Sequence, residues 1–134
     1  MLLRANKFNN RIMSLAISLA EQRIGLTGEN PSVGCVIVKN NKIISFGQTG
    51  LGGKPHAEVD AINKAKESLK NSSIYITLEP CSHYGKTPPC TKEIIKSKIK
   101  KVYYGIDDVD LRTANKSSKI LRNKGIFVQK NILK

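Results

Sequence analysis

The chain has 134 residues, 40% of them hydrophobic, 25% charged and 5% aromatic, with no Trp. That is enough apolar material for one compact domain, and it excludes both a wholly disordered chain and two large domains. No run of 18 apolar residues exists to span a bilayer, and the net charge of +13 carries 18 Lys against 5 Arg, twelve of these 23 basic residues falling within residues 91–134. Such a balance suits either a polyanion site or a solvated lysine surface; the dominance of Lys over Arg across the whole chain favours the solvated surface.

The first element is a helix over about Asn10–Arg23, ended by Gly25 and Gly28. Its apolar stretch Ile12–Ala20 follows Arg4, Lys7 and Arg11, as a signal peptide would, but Glu21, Gln22 and Arg23 follow at once and the spacing Ile12, Leu15/Ala16, Leu19 is helical. The expected setting is therefore the cytoplasm. Val33–Lys39 and Lys42–Phe46 read as strands joined at Asn40-Asn41, a pair that tolerates the positive φ of a tight hairpin. Gly47–Lys54 is a glycine-rich loop, and Pro55-His56 opens a second helix to about Leu69, with Ala57, Ala61, Ala65 and Leu69 as its packing stripe. Ser73–Leu78 is a third strand. Glu79–Pro89 is irregular, given Pro80, Gly85, Pro88 and Pro89. A third helix from Cys90 to about Ser97, a strand at Lys101–Ile106, a short helix at Ser117–Asn123 and a strand at Gly125–Gln129 complete the chain. Strands alternating with helices imply a partly parallel sheet covered on both faces, a three-layer α/β/α domain spanning residues 1–134.

Three cysteines, without a convincing export signal, argue against a disulfide framework. Cys35, within the apolar run Val33–Val38, reads as a packing residue. His56 opens the second helix, Cys81 follows the third strand and Cys90 opens the third helix, so in this topology all three meet at the edge where α/β proteins bind ligands. One imidazole and two thiolates suit Zn²⁺ and leave the fourth tetrahedral position for water, a catalytic arrangement more than a structural one. The helix N-terminus also favours the thiolate of Cys90. Glu58 lies two residues after His56, a spacing that does not share a helix face. The two converge only because His56 sits at the helix entrance, and Glu58 then serves as the proton shuttle of general acid–base catalysis. His-x-Glu alone is commonly accidental, and Pro-Cys with another Cys nine residues on could be a redox pair or two unrelated thiols. Together, His56-Ala57-Glu58, Pro80-Cys81 and Cys90 match the zinc deaminase signature.

Three stretches extend the match: Glu29–Val38 (ENPSVGCVIV), Lys54–Ile62 (KPHAEVDAI) and Tyr75–Cys90 (YITLEPCSHYGKTPPC). With these, the chain resembles the diaminohydroxyphosphoribosylaminopyrimidine deaminases of riboflavin biosynthesis over about Arg11–Val128. Nucleic-acid deaminases and many cytidine deaminases typically place the second Cys three residues after the first, whereas here Ser82–Pro89 intervene. The resemblance implies a cytidine deaminase-like fold with a five-stranded mixed sheet, and a phosphoribosylamino-pyrimidine substrate whose ring 2-amino group is replaced by oxygen with release of ammonia. It assigns His56, Cys81 and Cys90 to zinc, Glu58 to proton transfer, and substrate contacts to Asn30, Ala57, His83, Lys86 and Asp108. Lys86 suits a phosphate as a mobile point charge, although a solvated loop lysine has the same sequence signature. Asn30 reads equally as a turn residue before Pro31, and His83 as an orienting partner for its neighbours.

The chain departs from that pattern at Thr49, where a histidine is usual, at Asp110, where an amide is usual, and at Asn115 and Ser117, where glycines are expected. These changes leave the metal chemistry intact and bear on the substrate. The reductase domain that usually follows is absent from these 134 residues, which implies either a separate reductase chain or a truncated form, and relatives commonly pair, which implies a homo-oligomer. Two rivals remain at this level: a tRNA or single-strand nucleic-acid deaminase of the same fold, disfavoured by the Cys spacing, and a non-catalytic zinc or nucleic-acid binding module, disfavoured by Glu58.

Overall fold

Among the residues described by the computed structural model, 2–82, 89–106 and 116–133, the chain folds in the order α1 (Leu2–Glu21), β1 (Gly34–Lys39), β2 (Lys42–Gln48), α2 (Ala57–Lys64), β3 (Ser73–Leu78), α3 (Cys90–Lys96), β4 (Lys101–Ile106), α4 (Lys116–Asn123) and β5 (Phe127–Gln129). The strands lie side by side as β2-β1-β3-β4-β5. Strand β1 is antiparallel to both β2 and β3, while β3, β4 and β5 run parallel. This is the mixed five-stranded sheet expected from the sequence. The β1–β2 hairpin turns on Asn40 and Asn41, whose φ angles of 53° and 63° are the positive values that a two-residue turn requires.

Alternation along each strand sorts side chains onto two faces. Cys35 and Ile37 of β1, Ile74 and Ile76 of β3, and Val102 and Tyr104 of β4 join Ala57 and Ala61 of α2, Ile94 of α3 and Leu121 of α4 in one buried layer. The intervening Val36, Val38, Tyr75 and Tyr103 pack on the other face with Ile12, Met13 and Ala16 of α1. Three helices therefore cover one face and α1 the other, giving the expected three layers. Glycines allow the closest approaches. A Cβ on Gly34 would collide with the carbonyl of Ala16, and one on Gly47 with the Ala57 carbonyl and, at 2.6 Å, the Ala61 nitrogen. Helix α2 thus lies directly on the backbone of β2, which fixes the height of its N-terminus above the sheet.

Several boundaries differ from the sequence reading. Helix α1 begins at Leu2, eight residues before the expected start at Asn10, and its buried Asn9 accepts a hydrogen bond from Tyr75 Oη at 2.5 Å. Polarity there conceals a helix that a tertiary contact holds. Helix α2 ends at Lys64, short of Leu69, because Ala65 turns extended (φ −62°, ψ 133°). Leu69 still reaches the core, delivered by a turn in which its carbonyl accepts both the N–H and the hydroxyl of Ser72. The glycine-rich loop contains a short 3₁₀ turn, Leu51–Gly53, β2 runs on to Gln48, and β5 starts only at Phe127 because Gly125 occupies the preceding turn at φ 79°. Among the described residues, no helix is long and apolar enough to cross a membrane.

Candidate active site

The carboxyl end of β3 leads through Glu79 and Pro80 to Cys81, while α2 and α3 begin at the same edge. His56 is the N-cap of α2, with extended φ −66° and ψ 155° and no capping bond from its side chain. This extended residue frees the imidazole from helical geometry, so that it and Glu58, in the first turn, serve one site. The loop that delivers His56 is pinned at several points: Gly50 N–H donates to the Pro55 carbonyl at 2.9 Å, Gly52 N–H to Leu26 at 2.8 Å, and Asn30 Nδ2 to Gly53 at 3.0 Å.

His56, Cys81 and Cys90 place their ligand atoms within 4.8 Å of one another. His56 Nδ1 stands 3.4 Å from Cys90 Sγ and 3.9 Å from Cys81 Sγ. A tetrahedral zinc ion, with bonds of about 2.0–2.1 Å to nitrogen and about 2.3 Å to sulfur, requires N···S edges of about 3.6 Å. The observed pair brackets that value, and one imidazole with two thiolates is a donor set suited to zinc. The residues therefore fit the ion.

Electrostatics within the cluster are uneven. Hydrogen bonding from the Cys90 thiol, with further bonds from His56 and from Cys90 N–H at 3.1 Å, holds the Cys81 thiol down at about 4 despite its partial burial. Cys90 moves the other way, raised by donating to Cys81 and by its own burial. Bonding to Cys81 raises His56, against the opposing effect of burial. Glu58 is 4% exposed. Burial, reinforced by the nearby charge of Cys81, pushes its carboxyl up to about 7, in the range suited to taking up and returning a proton near neutrality.

Of the residues singled out from sequence, His56, Glu58, Cys81 and Cys90 come together. Ala57 is fully buried against β2. Asn30 sits in the α1–β1 loop, bonded to the loop that precedes His56. His83, Lys86 and Asp108, like Asp110 and Asn115, lie outside the described residues. Cys35 is buried in β1, as a packing residue should be. Thr49 is 1% exposed, and its hydroxyl accepts the Val33 N–H at 2.8 Å and lies 3.2 Å from the Pro31 carbonyl. The departure at this position therefore ties two loops together. Sequence reasoning passed over Glu79. Its carboxylate is 2% exposed and accepts from Ser117 Oγ at 2.7 Å and Ser117 N–H at 3.2 Å. The available signal was an acid immediately before Pro80-Cys81, at a strand end that should be buried.

Residues 6–106 match the family model of the cytidine and deoxycytidylate deaminase zinc-binding region. The chain is 47% identical over 122 residues to the riboflavin biosynthesis protein RibD of Aquifex aeolicus, a match covering 91% of the chain and 34% of that protein. It is also 47% identical over 117 residues to the diaminohydroxyphosphoribosylamino-pyrimidine deaminase of Buchnera aphidicola, covering 87% of the chain and 80% of that protein. Among solved structures, the diaminohydroxyphosphoribosylaminopyrimidine deaminase/5-amino-6-(5-phosphoribosylamino)uracil reductase of Thermotoga maritima superposes with a TM-score of 0.90 at 40% identity, over 96% of this chain and 38% of that one. The chain thus spans about a third of the length of relatives such as the Aquifex protein and most of the length of the Buchnera one. With three converging ligand atoms, a buried acid beside them and these likenesses, the chain belongs to the zinc-binding cytidine and deoxycytidylate deaminase family, and within it to the diaminohydroxyphosphoribosylaminopyrimidine deaminases.

Proposed function

We propose that this chain hydrolyses 2,5-diamino-6-(5-phosphoribosylamino)pyrimidin-4-one to the corresponding 5-amino uracil derivative and ammonia, in riboflavin biosynthesis. The observation that carries the reading is the buried Glu58 carboxyl set against the His56, Cys81 and Cys90 cluster. In this reading His56 Nδ1, Cys81 Sγ and Cys90 Sγ hold zinc. A zinc ion held there would supply Lewis-acid activation of the attacking water. Glu58 accepts a proton from the attacking water, delivers it to the ring nitrogen beside the reacting carbon, and moves the second water proton to the departing amine, which leaves as ammonia. Burial serves this role, because a carboxyl near neutrality releases its proton as readily as it takes one.

Asn30, Ala57, His83, Lys86 and Asp108 are the proposed substrate contacts. For Asn30 the support is its bond to Gly53, three residues before His56. Reduction of the product and self-association belong to the same reading, the first supported by the Thermotoga relative, whose name joins deaminase and reductase. The test is ammonia release by the zinc-loaded protein from the diaminopyrimidine phosphate, with cytidine and a tRNA anticodon stem alongside. Turnover of the diaminopyrimidine alone is expected. Turnover of RNA or cytidine in its place would overturn the substrate assignment.

A further inference from the structure

We propose that Glu79 is a positioning residue that sets the Cys81 ligand through bonds to β4 and α4; the inference rests on the reading of His56, Cys81 and Cys90 as metal ligands. Pairing of β3 with β4 ends at Leu78 and Ile106, and the main-chain N–H of Glu79 then donates to the Ile106 carbonyl at 2.8 Å. Pro80 follows and has no N–H to give. Glu79 is therefore the last main-chain donor before the ligand, two residues from the Cys81 sulfur. Its side chain makes a second tie, accepting both the hydroxyl (2.7 Å) and the N–H (3.2 Å) of Ser117 in the first turn of α4. One residue thus joins the end of β3 to the end of β4 and to the start of α4.

A buried carboxylate is strongly disfavoured unless its oxygens are satisfied, so an apolar side chain would be the ordinary choice for filling this space. What the carboxylate adds is direction: two donors on one fully buried residue fix its orientation, and with it the path from β3 into Pro80-Cys81. The Ser117 hydroxyl supplies the shorter of the two bonds. Groups that orient a ligand govern how well the ligand set fits its ion.

The test uses the full chain with E79A, E79Q, S117A and the E79A/S117A double variant. Zinc affinity is read by competition with a chromogenic chelator, alongside kcat, KM and thermal unfolding. For E79A, zinc affinity is expected to fall about 10–100-fold, with kcat lowered and KM little changed. E79Q, which keeps the length and one acceptor oxygen, should recover most of the loss, and S117A should show a smaller loss of the same kind. In the E79A background, S117A should add nothing, because the bond it removes is already gone. If E79A does not fold, E79Q and S117A carry the test, and zinc affinity unchanged in both overturns the inference. A lowered melting temperature with wild-type zinc affinity and kcat would make Glu79 merely structural and also overturn it. Wild-type protein that binds zinc but leaves the diaminopyrimidine untouched would sink the substrate assignment and leave Glu79 standing. Wild-type protein that binds no zinc would overturn both.

Discussion

Glu58 and His56 are two positions apart, a spacing that in a regular helix would point them to different faces. The N-cap conformation of His56 removes the conflict, so the proposed division of labour between ligand and proton carrier rests on where the helix begins. Replacing Glu58 by Gln keeps the volume and removes the exchangeable proton. That variant should fold and retain zinc, while kcat falls about 10²–10⁴-fold; metal content together with steady-state ammonia release checks it. At this scale much was legible, because His-x-Glu and Pro-Cys are local patterns whose chemistry follows from residue type. Cys35 was legible too, by its apolar neighbours. Glu79 was not: its partner Ser117 lies 38 residues on, and only the β4–α4 topology brings the two together.

At the scale of elements, close contact between α2 and β2 controls the site at a distance. Gly47→Ala would drive a methyl group into the Ala57 carbonyl and the Ala61 nitrogen, costing about 1–3 kcal/mol as an overpacking change. Because His56 and Glu58 sit at the head of α2, the same variant should lose zinc affinity as well as melting temperature, measured side by side. On the opposite face, Tyr75 stacks on Tyr103 at 4.6 Å and donates to Asn9. Burial raises the Tyr75 phenol above its ordinary value, with Tyr103 adding to the effect, and Tyr103 itself is raised by burial. The folded chain therefore holds these protons more tightly than the unfolded one. The stabilisation is complete below the ordinary tyrosine value of about 10 and is lost as pH rises from there through the folded-state values. Denaturant unfolding at neutral and alkaline pH should show Tyr75→Phe less stable by about 1 kcal/mol at neutrality, for the lost bond, but with a shallower alkaline decline, Tyr103 retaining part of it.

Element type was readable wherever periodicity was strong, as in the alternating strands and the Ile12–Ala20 stretch. Boundaries failed where tertiary contacts overrode local pattern. The polar start of α1 is held by Asn9 and Tyr75, and Leu69, which completes an i+4 stripe on paper, enters the core from a turn.

For the whole molecule, the three layers and the mixed sheet followed from the order of elements, since strands alternating with helices have few ways to cover a sheet. The proposed ligands stand at positions 56, 81 and 90, and the fold brings all three to one point, so an ion joining them favours the folded form. Removing zinc with a chelator should abolish turnover and lower the melting temperature. Zinc at about 100 times its dissociation constant adds about 2.7 kcal/mol, a shift on the order of 10 °C for a chain of this size. Readdition of zinc should restore both.

Cys81 and the start of α3 are also joined without any ion: the Cys81 carbonyl accepts Thr91 N–H at 3.2 Å, and its sulfur accepts Cys90 N–H at 3.1 Å. Main-chain donors make both bonds, so they place little demand on what stands between. Both donors are groups that every residue but proline carries. For an evolving lineage this separates two kinds of mutational risk. Substitutions other than proline at positions 90 and 91 keep the main-chain donors of both ties, whereas the Cys81 sulfur, which accepts one of them and is a proposed ligand, has no substitute.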